Sequence, residues 1–297
     1  MLKRWDVALL AVLVFVTAIF IVHPGAQRPQ HSLYVSALDQ DGNPVQSLSE
    51  TNVAIREDRV PREVVSIVPA TEPMQVALLV DNSQASQNYI RDYREAFAAF
   101  ITELGNDPSD AHHEISIVTV GERPTINTDH TLDLERAKQG AGRIFATPGS
   151  GSYLLNGIIE VSQGLTKRNA TRPVIVAVTT NGPEYSDRMY QTVLDPLKAS
   201  GATFHLVLIG QPLNMNIDRN TVFDRGTKET GGRYETVLAS SGLTMRMRQL
   251  GRELTHQWKV TYVRPESLIQ PEQITVTSAT PGLTVRGTPV KEARSTK

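Results

Sequence analysis

The run Val76-Ala-Leu-Leu-Val80, followed at once by Asp81-Asn-Ser-Gln-Ala-Ser86, constrains this chain more than any other stretch. Five consecutive apolar residues cannot alternate between a wet and a dry face. They predict a strand covered on both sides, as in a parallel sheet with helices front and back. Asp81 then stands at the carboxyl end of that strand, and in an open α/β sheet ligands bind in the crevice outside the carboxyl ends. A plainer role suits the same residues, because Asp81, Ser83 and Ser86 are also turn and N-cap types for a following helix.

Strand and helix signals alternate downstream. Ile90, Tyr93, Phe97, Ile101 and Leu104 mark one face of a helix from about Gln87 to Leu104, and Glu114 to Val120 reads as the next strand. Helices are predicted over Leu134 to Phe145, Leu154 to Leu165, Asp187 to Ala199 and Thr244 to Gln257, with buried strands at Val174 to Val178 and Thr203 to Ile209. Such alternation gives an α/β fold, a doubly wound and mostly parallel sheet with helices on both faces.

Both ends of the chain read differently. Leu33 to Asp39, Val53 to Glu57 and Glu63 to Val68 are short β segments set off by the Gln40-Asp-Gly-Asn-Pro44 turn. Trp258 to Val263, Gln273 to Thr277 and Leu283 to Arg286 match them in length and β-branched content. Strands this short need partners, so the two flanks are expected to form one small β-sandwich, with Trp258 in its core. The expected organisation is a leader and linker over 1–30, an N-terminal β segment over 31–70, an α/β domain over 74–256 and a C-terminal β segment over 258–290.

The leader begins with Lys3 and Arg4 and continues through Val7 to Val22, where Thr17 is the only polar residue. As a helix this run covers roughly 24 Å, somewhat short of the ~30 Å hydrocarbon core. A signal peptide and a signal anchor both fit. Pro24 is a poor match to the small residue expected three positions before a cleavage point after Ala26, which favours the anchor. By the positive-inside rule the rest of the chain is expected outside the cytoplasmic membrane, anchored in the inner membrane or released to the periplasm. The remaining composition is that of an ordinary globular protein, with 297 residues, 40% apolar content and a formal charge of -1, which carries no bias toward nucleic acid. With no Cys, neither disulfides nor thiolate metal sites are possible.

The order and spacing of four stretches carry a resemblance. They are Asp81-Asn-Ser-Gln-Ala85; Ile115 to Gly121 followed by an edge-strand-like Pro124 to Thr128; Gly149-Ser-Gly-Ser-Tyr-Leu-Leu-Asn-Gly-Ile158; and Val174-Ile-Val-Ala-Val-Thr-Thr-Asn-Gly182. Met74 to His256 resembles a von Willebrand factor type A (VWA) domain, Rossmann-like in its winding. With the flanks Asp41 to Val45, Ile55 to Asp58 and Thr261 to Val263, the exported part resembles the bacterial VWFA-related domain proteins.

The resemblance implies a metal-ion-dependent adhesion site built from Asp-x-Ser-x-Ser, a distant Thr and a distant Asp. Mg²⁺ wants near-octahedral hard oxygens and keeps some waters, which suits hydroxyls and carboxylates. Asp81 and Ser83 match the pattern, Ser152 stands for the Thr, Ala85 replaces the second Ser, and Asn181 replaces the second Asp. Losing one hydroxyl and one carboxylate weakens such a site. The metal set is therefore Asp81, Ser83, Ser152 and Asn181, weak or lapsed, within a cleft that also includes Asn82, Ala85, Tyr153 and Glu184. Glu184 and Asp187 could lend a carboxylate, although a solvated loop and a helix N-cap are their plainer roles. The implied function is non-catalytic binding of an unknown protein partner in the cell envelope, with no cofactor or weak Mg²⁺; the alternatives are a weakly metal-dependent ligand-binding protein and an envelope hydrolase.

Other chemical motifs are missing. Gly149-Ser-Gly-Ser152 lacks the Lys of a phosphate-binding loop, and no Gly-x-Gly-x-x-Gly, His-Glu-x-x-His or Gly-x-Ser-x-Gly occurs. His205 lies in a buried run, where a hydrogen-bonded core histidine is expected, and Arg246, Arg248 and Arg252 read as the solvated face of the last helix.

Overall fold

The computed structural model describes residues 29–213, 216–265 and 271–291. The apolar run at Val7 to Val22 lies outside the described residues, and among those described no helix is long and apolar enough to cross a membrane. The chain opens with β1 (Gln30–Leu38), β2 (Ala54–Glu57), β3 (Val60–Arg62) and β4 (Val64–Pro69). The α/β portion follows as β5 (Gln75–Val80), α1 (Ile90–Leu104), β6 (Glu114–Thr119), β7 (Thr125–Thr131), α2 (Leu134–Gly142), α3 (Leu154–Lys167), β8 (Pro173–Thr180), α4 (Tyr190–Ser200) and β9 (Thr203–Ile209). It continues with α5 (Ile217–Thr221), a π turn, α6 (Thr227–Glu229), β10 (Tyr234–Val237) and α7 (Leu243–Thr255), before β11 (Trp258–Val263), β12 (Ile274–Thr277) and β13 (Thr284–Pro289).

The main sheet runs β10-β9-β8-β5-β6-β7, parallel except for the antiparallel edge strand β7. The apolar runs of β5 and β8 serve two cores at once. Val76, Leu78, Val80, Val174, Val176 and Val178 pack with α1, α2 and α7, whereas Leu79, Ile175 and Ala177 pack with α3 and α4 on the other face. The period-2 alternation of a strand thus explains why neither run contains a polar position. Each fully buried Leu or Val contributes about 1.5–3 kcal/mol. Helix α1 seats Tyr93, Phe97, Phe100, Ile101 and Leu104 in the first core. Gly251 lets α7 approach it, because a Cβ there would stand 2.7 Å from Glu103 Cβ.

The two flanks do pair. Strand β1 lies between β11 and β13, β4 borders β11, and β12-β2-β3 form the facing sheet. Leu33, Val35, Ile55, Val260, Tyr262 and Val285 fill the space between the sheets, and Trp258 packs there only partly buried. Tyr262 Oη donates to Glu57 at 2.7 Å and so ties one sheet to the other.

Arg172 joins this sandwich to the α/β portion. Its guanidinium donates to Glu72 O, Leu254 O and Gln257 Oε1 at 2.8–2.9 Å and lies 4.7 Å from the Tyr34 ring centroid.

Some local expectations change. Helix α4 begins at Tyr190 rather than Asp187, which is exposed and holds a left-handed φ of 44° in the preceding loop. The basic residues of α7 are not simply solvated, since Arg248 and Arg252 pair with Glu103, and Arg246 pairs with Glu235. His205 is fully buried, yet neither ring nitrogen has a hydrogen-bond partner. Its charged neighbours Glu253, Arg233 and Arg286 bond to one another instead.

Candidate functional site

Three loops meet at the carboxyl ends of β5, β6 and β8. The first leaves β5 through Asp81, whose carboxylate accepts Ser83 N–H at 3.0 Å and the Thr179 hydroxyl of β8 at 2.7 Å. Asp81 is thereby fixed at the mouth of the sheet. Ser83 precedes a 3-10 turn over Gln84–Tyr89 but makes no side-chain cap bond, so the plain N-cap role does not account for its hydroxyl. Asn82 was expected to line the cleft; instead its amide holds the walls together, accepting Gly121 N–H at 2.8 Å and donating to Phe145 O at 2.9 Å.

The second and third loops are stitched to each other. Ser152 N–H donates to Pro183 O, Tyr185 N–H donates to Ser152 O, and Ser152 and Glu184 form a parallel bridge. Tyr185 covers Gly151 so closely that a Cβ there would lie 2.4 Å from its ring, and Tyr153 meets Tyr185 edge-on at 6.2 Å between centroids. The third loop also touches the first, since a Cβ on Gly182 would stand 2.5 Å from Ala85 Cβ and 3.8 Å from Ser83 Oγ.

Asp81, Ser83, Ala85 and Ser152 therefore come together, but the Asn181 side chain does not join them. Its Nδ2 donates to Gln211 O in the loop after β9.

Glu184 is the second departure. It is no solvated loop residue: its Oε1 accepts Ser186 N–H at 3.1 Å, while its Oε2 is buried without a donor. Burial raises its pKa and nearby Asp81 adds to that, against the hydrogen bonds from Ser186 and the charge of Arg219.

Arg219 and Thr179 are the site-shaping residues that sequence reasoning missed. Arg219 is buried over the Phe223 ring and donates to Gly182 O at 2.9 Å and Thr180 O at 2.6 Å, clamping the third loop. Thr179 directly follows the apolar run of β8 and is itself buried.

Three hydroxyl or carboxylate oxygens at this junction are buried and unpartnered: Ser83 Oγ, Ser152 Oγ and Glu184 Oε2. All are hard oxygens, the donor type that Mg²⁺ takes. Ala85 contributes none, and Asn181 is engaged elsewhere. The oxygens at this junction are thus of the type a divalent cation takes, while two positions of the set that the resemblance implied supply none.

This architecture is the VWA fold. It is shared with a structure described as von Willebrand factor type A from Catenulispora acidiphila, at 11% identity and a TM-score of 0.50, over 89% of this chain and 74% of that one. It is shared also with proximal thread matrix protein 1 from the mussel byssus, at 13% identity and a TM-score of 0.50, over 67% of this chain and 51% of that one. At these identities the likeness concerns the fold. No protein-family model matches the sequence, and no curated protein matches it.

Proposed function

We propose that this chain is an extracytoplasmic, non-catalytic interaction module that docks a protein of the cell envelope on the loops at the carboxyl ends of its main sheet. One observation carries the reading. Large apolar residues stand exposed around the polar cleft: Phe145 (67%), Tyr185 (53%), Met189 (70%) and Ile217 (81%). Single exposed apolar side chains are ordinary, but several on one rim around a polar centre are the composition of a docking face. The location rests on Lys3, Arg4 and the apolar run to Val22.

The cleft offers binding groups, an oriented carboxylate at Asp81 and the hydroxyls of Ser83 and Ser152. The degenerate set at Ala85 and Asn181 points the same way, toward binding.

The test is retention of an envelope protein by the tagged full chain, by a Phe145→Ser/Met189→Ser variant, and by a Val60→Ser/Val68→Ser variant that alters exposed residues of the sandwich. Wild type and the sandwich variant should retain the same protein, and the rim variant should lose it. Equal retention by all three would place the docking face elsewhere.

A further inference from the structure

Residues 144–147 lead from α2 toward the stretch 149–152 without forming helix or strand, so side chains elsewhere must set their path. One end is anchored by Ile144, which is fully buried in the core that α1 lines and whose carbonyl accepts Arg94 Nε at 2.8 Å. The other end is anchored by Ser150, whose hydroxyl donates to Thr147 O at 2.8 Å. Between them Phe145 is turned outward to the rim.

Asn82 holds the middle. Its Nδ2 donates to Phe145 O at 2.9 Å and to Thr147 Oγ1 at 3.2 Å, its Oδ1 accepts Gly121 N–H at 2.8 Å, and its backbone carbonyl accepts Thr147 N–H at 2.8 Å. An Asp of the same shape would have only acceptors to offer. Gly121 is fitted to the amide, since a Cβ there would stand 2.8 Å from Asn82 Oδ1. Asn82 is also the residue between Asp81 and Ser83, and Asp81 is oriented by Ser83 N–H and Thr179. The apolar rim and the polar centre are therefore tied together by a side chain that is only 6% exposed.

We infer that Asn82 is the positioning residue of the docking face: it fixes where Phe145 stands relative to Asp81 and Ser83, and binding depends on it although it does not touch the partner. Holding the loop in place beforehand spares the cost of ordering it on binding. The inference rests on the loops at the carboxyl ends of the main sheet being the docking face.

The experiment compares wild type, Asn82→Ala, Gly121→Ala and Phe145→Ser as full chains, with residue-resolved amide exchange first. Thr147 N–H bonds to the backbone carbonyl of Asn82, which Asn82→Ala leaves in place, so its exchange reports the path of the loop. It should quicken by at least about tenfold in Asn82→Ala and in Gly121→Ala, while Leu78 and Val176 in the main sheet exchange as in wild type. The second readout uses the envelope protein that wild type retains, purified from that eluate. Asn82→Ala and Phe145→Ser should each bind it at least about tenfold more weakly, and adding Asn82→Ala to Phe145→Ser should cost no more than about a further twofold, because residues acting through one contact are not additive. A merely stabilising Asn82 would add its loss in full. Unchanged Thr147 exchange in Asn82→Ala, or losses that add in the double variant, overturns the inference. So does full binding by Asn82→Ala where Phe145→Ser has lost it. If wild type retains no envelope protein, or the Phe145→Ser/Met189→Ser variant binds as wild type does, the docking reading itself fails, and this inference fails with it.

Discussion

Thr179 donates its hydroxyl to the Asp81 carboxylate at 2.7 Å across two adjacent strands of the main sheet. With Ser83 N–H on the other oxygen, Asp81 keeps its orientation whether or not a cation is present. The cleft is therefore preorganised at its acidic centre.

That arrangement predicts the behaviour of a repaired site. In Ala85→Ser/Asn181→Asp, the new carboxylate loses the Asn181 bond to Gln211 O and meets that carbonyl as acceptor against acceptor. In chelator the variant should be less stable than wild type by about 1–3 kcal/mol. With Mn²⁺ at a hundredfold excess over its dissociation constant, binding should add about 2.7 kcal/mol and offset most or all of that loss. Thermal unfolding in chelator and in Mn²⁺ checks this, and a variant indifferent to both conditions would contradict it.

Arg172 should be the costliest single residue at the junction of sandwich and α/β portion. Arg172→Leu leaves Glu72 O, Leu254 O and Gln257 Oε1 without the donor they share. The expected loss is about 3–5 kcal/mol, as for other broken buried charged networks. Arg172→Lys should recover only part of it, because an ammonium can neither present the planar fork nor stack on Tyr34 in the same way. Urea denaturation of the three proteins gives the comparison; a loss below about 1 kcal/mol for Leu would show that the junction does not depend on this residue.

Acid sensitivity should trace to the buried group around His205. Burial pushes His205 down from 6.5 to about 4, opposed by the charge of Glu253 and reinforced by Arg286 and Arg233. Glu253 is held at about 2: its burial acts upward, but Arg286, His205 and Arg233 outweigh it. Both folded values lie below the unfolded ones. Between pH 6.5 and 4 the unfolded chain takes up a proton at His205 that the folded chain refuses, so stability falls as the pH drops through that window. Glu253 extends the loss between 4.5 and 2. From pH 7.5 to pH 5, His205 should account for on the order of 2 kcal/mol, at about 1.4 kcal/mol per unit. A His205→Leu protein should lose correspondingly less over that interval by urea denaturation. An unchanged pH slope would remove His205 from the explanation.

The fold was legible where burial writes itself into long patterns. Val76 to Val80, Val174 to Val178 and Thr203 to Ile209 announce doubly covered strands, and the spacing of Tyr93, Phe97 and Ile101 announces α1. The shorter pieces were harder. The three-residue β3 and four-residue β10 offer little pattern, and the Ile217 to Glu229 region breaks its helical period with a π turn. In the cleft, Asp81 and Ser83 could be placed from the strand exit they follow, and Ser152 from the resemblance of Gly149 to Ile158 to the VWA pattern. The direction of Asn181 could not, since it depends on a carbonyl of Gln211 thirty residues away in sequence. Nor could the burial of Glu184, which follows from pairing with Ser152 across two loops. His205 shows the same limit in a strand: the pattern reveals that it is buried, but not whether a partner reaches it.

Amide hydrogen exchange on the full chain, alone and with the protein it captures from envelope extract, tests the central claim most directly. Binding should slow exchange in the loops around residues 81–90, 145–153 and 181–190, which carry Asp81, Phe145, Ser152, Glu184, Tyr185 and Met189, and leave β2, β3 and β12 unchanged. Protection confined to the sandwich strands, with those three loops exchanging as in the free protein, would contradict a docking face at the carboxyl ends of the sheet.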